Sequence, residues 1–421
     1  MKKILALVLA LVLCVGLLAG CGGGGSDVEV IKIGYVNPYT GALAGNGEGC
    51  DWVISQIETY VNTTLGGIEI NGKKVPIDVI AYDSTSSSDK CTEMAQKLCE
   101  EDQVDMIIAI QTPETVIPVA AVAERYGVPC VAIQGPVDAV AHAYDDYQWT
   151  YHAFWTIEKV YEQYQALWTA AGYGPNEGHK VGIAFANDAD GTAWYNIFTQ
   201  KVVENGYELV NPGQYPSGTT DFTNIVNTFK SADIDILAGT NIPPDFINLY
   251  QQVINSGVEV GCVTMGKCCL LAGDVEALGS MAEGIMTEVW WAPTNTYTSD
   301  LTGVSCADLG KAYAADNGRE MPQPAGYAYA ALELAVHAFT AAGTTDKEAV
   351  RDALSKLDVT TIVGPIKYDQ EMAGLTYGDT VIGGGQWQMV DGKLTLVVID
   401  NTVYPEVPTT GSYVAGNATN K

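Results

Sequence analysis

The side chains that could do chemistry are few and scattered. The four histidines, His142, His152, His179 and His337, are spread along the chain with no ligand spacing. The cysteines include no C-x-x-C, and the adjacent Cys268-Cys269 has no histidine or carboxylate partner at metal-site spacing. Eight of them (Cys50, Cys91, Cys99, Cys130, Cys262, Cys268, Cys269 and Cys306) make an even set that an oxidising compartment could pair. Buried free thiols are expected instead of a disulfide framework, and no metal. No G-x-x-x-x-G-K-[ST], H-E-x-x-H or G-x-S-x-G occurs. Gly45-Asn46-Gly47-Glu48-Gly49 follows a predicted strand but lacks the third glycine at dinucleotide spacing. With no acid–base pair and no cofactor site to nominate, the residues point away from an enzyme.

The elements that would position any site are clearer. From Val30 onward, short β-branched runs alternate with amphipathic stretches of about three helical turns. Predicted strands are Val30–Val36, Val75–Tyr82, Met106–Ile110, Pro129–Ile133, Val181–Phe185, Ile234–Ala238 and Val260–Met265. Near-continuous apolar strands separated by helices imply parallel sheets covered on both faces, the doubly wound α/β class. Two such series follow one another, broken near Gln148–Thr156. After residue 280 come a strand, three helices and short antiparallel strands with a hairpin turn at Asp391-Gly392. This order predicts two lobes joined by a multi-strand hinge. The first takes residues 30–149 and 291–361, the second residues 150–290 and 362–405, and residues 406–421 form a tail.

Lys2 and Lys3 precede an uncharged apolar run, Ile4 to Leu18, the length of a signal-peptide core. Leu18-Ala19-Gly20-Cys21 then resembles a bacterial lipobox, which implies a signal peptide of residues 1–20 and lipidation of Cys21. Residues 21–29, glycine-rich, would be a flexible linker to a domain held outside the cytoplasm on the cell membrane. The 421 residues suit two domains, and a net charge of -29 disfavours nucleic acid and anionic lipid surfaces.

An ordered set of motifs is similar to the type I periplasmic binding proteins, specifically the branched-chain amino acid group. Ile31-Lys32-Ile33-Gly34-Tyr35-Val36-Asn37-Pro38-Tyr39-Thr40-Gly41 resembles that family's first strand and crevice loop. Gly66-Gly67-Ile68 with Asn71-Gly72-Lys73, then Tyr82-Asp83, Gly127-Val128-Pro129, Asp221-Phe222-Thr223 and Gly364-Pro365-Ile366-Lys367-Tyr368-Asp369 follow in family order. The resemblance implies a substrate-binding protein of an ABC importer. Such a protein is a monomer that closes two lobes on a small molecule and docks on a permease with its ATPase, without cofactor or catalysis. A sensory ligand-binding lipoprotein and an exported enzyme are the alternatives.

By the same resemblance the ligand site lies at strand ends facing the cleft. Thr112 and Thr115, around the start of a helix, would serve a carboxylate, or else merely cap that helix. Glu114 between them departs from the family pattern and would repel an anion unless it points away. Gln134 and Gly135 form a second turn, either binding or structural. Asp188 or Asp190 would take an ammonium group or cap the next helix, and Thr240 and Asn241 end a strand at the cleft. Lys267 stands near the position of an ammonium-binding glutamate, which favours an anionic ligand group instead. Trp149, Tyr151, Phe154, Trp155, Trp290 and Trp291 collect near the hinge as core or cleft wall, with Tyr151 and Trp290 taken as ligand contacts. The expected ligand is a small carboxylate-bearing solute, an amino acid or aromatic acid.

Overall fold

The apolar runs become strands buried on both faces, arranged in two sheets of seven strands each. The computed structural model describes residues 28–416. The signal segment, Cys21 and most of the linker lie outside the described residues. Among those described, no helix is long and apolar enough to cross a membrane.

The first sheet runs, edge to edge, through Gln370–Met372, Leu375–Gly378, Thr150–Ala153, Cys130–Ile133, Met106–Ile110, Ile31–Asn37 and Ile77–Asp83. All neighbours pair in parallel except the first two. The second sheet runs through Lys393–Asp400, Gly383–Val390, Met286–Val289, Cys262–Lys267, Ile236–Asn241, Lys180–Phe185 and Glu208–Val210. Its last five strands are parallel and its first two make the expected hairpin turning at Asp391-Gly392. Helices fill the crossovers, as parallel neighbours require. Helix Gln323–Ala342 is buried on nearly every side, lying against helix Cys50–Thr59 and strand Cys130–Ile133 of the first lobe. Its apolar composition all round fits that position.

The chain crosses between lobes three times, at shifted places. Thr150–Ala153 pairs with Cys130–Ile133 in the first sheet, so the first crossing is at residues 154–156, not at 149/150. The second follows Val289. The third lies at residues 379–382, not at 361/362, because Gln370–Met372 and Leu375–Gly378 also belong to the first sheet. The shift at Thr150–Ala153 has a local cause. That strand carries Thr150 and His152 inward, which hides it from a search for apolar runs. Residues 406–416 are not a free tail either: Thr410 donates its N–H to Val398 O, and Val414 donates to Gln386 Oε1.

All eight described cysteines are free thiols, and all but Cys99 are buried. Burial pushes the thiols of Cys50 and Cys91 up to about 12, which keeps them protonated and unreactive at neutral pH. No group of three or more metal-ligating side chains occurs among the described residues.

Candidate functional site

The carboxyl ends of both sheets meet across one cleft, where open parallel sheets bind ligands. Three non-glycine residues there hold a left-handed backbone: Gln111 (φ 93°), Gln134 (φ 66°) and Lys267 (φ 62°). Each ends or directly follows a strand, and backbone strain of this kind concentrates at functional sites. Gly135 (φ 77°) continues the second of these turns, with the Pro113 nitrogen 3.2 Å from where a Cβ would sit. Behind it His152 donates from Nε2 to the Gly135 carbonyl at 2.8 Å. Burial pushes that imidazole down to about 4, so it is neutral.

The cavity between the lobes leaves about 20 Å³ for the centres of water molecules, enough for one or two. Six of the sequence-predicted residues line it: Thr112, Gly135, Asp190, Thr240, Lys267 and Trp290. The other four stand aside. The Thr115 hydroxyl accepts the Thr112 N–H at 3.1 Å and donates to the Ile110 carbonyl at 2.8 Å, so it closes the helix start. Gln134 donates to Pro324 O at 2.8 Å within the first lobe. Asn241 donates to Ala184 O at 3.2 Å and touches the Tyr215 hydroxyl. Tyr151 packs edge-on to Tyr368, ring centres 5.4 Å apart, in the first sheet.

Lys267 is the electrostatic centre, 7% exposed. Its Nζ lies 3.1 Å from Glu114 Oε2 and 3.2 Å from Asp190 Oδ2. Burial alone would lower its pKa, but Glu114, Asp190 and Asp188 outweigh that and hold it well above the usual lysine range. Burial raises the Asp190 carboxyl despite the nearby ammonium, and the charges of Glu114 and Asp188 add to the rise. Glu114 goes the other way: Lys267 and nearby donors outweigh its burial and hold it below the ordinary carboxylate value. Asp188 takes the capping role, accepting the Gly191 N–H at 2.8 Å, which frees Asp190 to face the cleft.

Aromatic rings make up much of the rest of the lining. Trp155 stands between Phe154 (4.3 Å), Trp290 (6.0 Å) and Trp194 (6.1 Å, edge-on). The indole N–H groups of Trp155, Trp194 and Trp290 are buried without partners, as are the hydroxyls of Thr112 and Thr240 and the oxygens Gln111 Oε1 and Asp190 Oδ1. Buried polar groups are normally satisfied, so seven such atoms on one cavity make it the candidate ligand site. Trp149 and Trp291, by contrast, lie off the cleft: Arg351 sits 4.9 Å over the first ring, and the second donates to Ile362 O.

The sequence reading missed Trp194 and Glu288. Trp194 follows Asp190 by four residues on helix Ala189–Glu204, hence on one helix face. Glu288, 1% exposed, precedes Trp290 by two residues on extended chain, hence on one side. Its Oε2 accepts from the Tyr164 hydroxyl at 2.5 Å and from Thr287 Oγ1 at 3.2 Å. Burial raises its pKa above the ordinary glutamate value.

The loop bearing Asp190 has no slack, since a Cβ on Gly191 would lie 2.2 Å from Ala186 O. Gly191→Ala is expected to lower stability by about 1–3 kcal/mol, read from the urea midpoint. An unchanged midpoint would contradict that close approach.

Residues 30–377 match the periplasmic binding protein family. A Leu/Ile/Val-binding protein homolog 7 from Brucella suis is 23% identical over 409 residues, covering 93% of this chain and 96% of that protein. A leucine binding protein from Thermotoga maritima superposes with a TM-score of 0.72 at 17% identity, covering 87% of this chain and 97% of that one. A solute binding protein of an ABC transporter from Rhodopseudomonas palustris, in complex with 3,4-dihydroxybenzoic acid, gives 0.68 at 20% identity over 88% and 97%. Two parallel-sheet lobes are the architecture this chain shares with those structures, and the family match spans most of the sequence. The chain therefore belongs to the periplasmic binding protein family.

Proposed function

We propose that this protein is the extracytoplasmic solute-binding component of an ABC importer, tethered through lipid on Cys21 and handing its cargo to a permease driven by an ATPase. The cargo is a small carboxylate-bearing solute, an amino acid or aromatic acid, enclosed between the lobes. The observation that carries this reading is the set of unpartnered buried groups converging with Lys267 on the interlobe cavity. Thr112 from the first lobe and Lys267 with Thr240 from the second would hold the carboxylate. The indole wall would hold the apolar or aromatic part, and Asp190 an ammonium or hydroxyl. The 3,4-dihydroxybenzoate held by the Rhodopseudomonas neighbour and the naming of the Brucella relative support the same two solute classes. Because the cavity as it stands has room for only one or two waters, capture would have the lobes part and close again.

A thermal-shift screen of the mature domain tests this, using amino acids, aromatic acids, their amides and sugars. A solute that binds only the folded protein adds about 2.7 kcal/mol of stability at a hundredfold excess over its Kd. A shift confined to one carboxylate class is expected. A shift with sugars or amides alone would sink the reading.

A further inference from the structure

Glu114 reaches across the cleft in two places at once. It is the second residue of helix Pro113–Tyr126 in the first lobe, and the Ser88 hydroxyl donates to its carbonyl at 2.7 Å. Its Oε2 lies 3.1 Å from Lys267 Nζ, and its Oε1 accepts the backbone N–H of Asp190 at 3.2 Å. Both partners belong to the second lobe. Among the described residues lining the cavity, Lys267 is the one cation, while Glu114 itself lies beside the cavity and not in its wall. A solute carboxylate that entered without displacing Glu114 would share one ammonium with Glu114 and Asp190, with Asp188 close by. Like charges at such distances repel strongly in a site with little water.

We infer that Glu114 is a tethered competitor for the solute's carboxylate: it holds Lys267 and latches the lobes together, and a solute binds by exchanging its own carboxylate for that of Glu114. This rests on the reading that the cleft captures a carboxylate-bearing solute, and it adds what sets the selectivity. A tethered group acts at high effective concentration, so an anion offering charge alone, such as acetate, does not displace it. A solute that also fills the indole wall does. The latch reduces apparent affinity to the fraction of molecules it leaves open, a loss of about tenfold if nine in ten are closed.

The test compares wild type, Glu114→Gln and Lys267→Met in two measurements. Small-angle X-ray scattering without solute reads the latch. Glu114→Gln and Lys267→Met are expected to show a larger radius of gyration than wild type, and equal radii would overturn the inference. Calorimetric titration with 3,4-dihydroxybenzoate and with L-leucine reads the competition. Whichever probe binds wild type is expected to bind Glu114→Gln about tenfold more tightly, and equal or weaker binding would overturn the inference. Should the glutamine variant not fold, Glu114→Asp, one methylene too short to hold both contacts, replaces it in both measurements. If neither probe binds any variant, the reading of these cargo classes fails instead, and the scattering result still decides the latch.

Discussion

Lys267→Met is expected to weaken capture of the carboxylate-bearing solute by at least about thirtyfold. Truncating one partner of a buried, hydrogen-bonded charge pair costs about 2–5 kcal/mol, which is about thirtyfold to several thousandfold in Kd. Lys267 fits that case because it is buried, lines the cavity and is the cation there among the described residues. Methionine keeps the length and apolar stem while removing the charge. The substitution also leaves Glu114, Asp190 and Asp188 facing one another without their ammonium. Asp190, whose carboxyl is already raised by burial, would take up a proton instead of remaining a bare charge. The stability loss is therefore expected toward the low end of the roughly 3–5 kcal/mol seen when a buried pair is broken. Calorimetry and urea unfolding of the same samples check both effects. An unchanged Kd would remove Lys267 from the site.

The second large effect concerns pH and lies away from the cleft. Glu333, 0% exposed in the middle of helix Gln323–Ala342, accepts the Ile362 N–H at 2.9 Å through Oε2, while its Oε1 has no partner. Burial pushes this carboxyl up to about 8. A folded pKa above the unfolded value means that the contribution to stability is fully present below about pH 4. It is lost as pH rises through about 8. The wild-type protein is therefore expected to lose on the order of 3–5 kcal/mol from this group between about pH 4.5 and about pH 8.5. Glu333→Gln keeps an oxygen for the Ile362 N–H and cannot ionise, so it should flatten the loss. Asp245 and Asp274, each pushed by burial to about 6, slope in the same direction. His152, pushed down to about 4, works oppositely as pH falls below its ordinary range. The difference between wild type and Glu333→Gln at each pH isolates the one group. Parallel curves for the two proteins would contradict the assignment.

The fold was legible because parallel strands buried on both faces leave continuous apolar runs. Strand Met106–Ile110 was readable to the residue, and Ile31–Asn37 to within one. Strands carrying inward polar groups were not: Thr150–Ala153 buries His152 against the Gly135 carbonyl, a tertiary contact that no local pattern announces. Thr240 and Lys267, at the ends of their strands, and Thr112, at the start of helix Pro113–Tyr126, were nominated from the sequence and line the cavity. Thr115, Gln134 and Asn241 were nominated too but stand outside its lining, each donating a hydrogen bond within its own lobe. The meaning of Glu114 was half readable. Sequence marks it as hostile to an anion, but only the approach of the two lobes shows that Lys267 and the Asp190 N–H receive it.

The most direct test of cleft capture is a crystal structure of the protein with the solute that gives the largest thermal shift. The expected result places the solute carboxylate within hydrogen-bond distance of Lys267 Nζ, with groups from both lobes around it and an indole ring against its apolar part. A solute bound elsewhere, for example in the exposed groove beside Tyr39, Trp52 and Tyr313, or one making no contact with Lys267, would contradict the account.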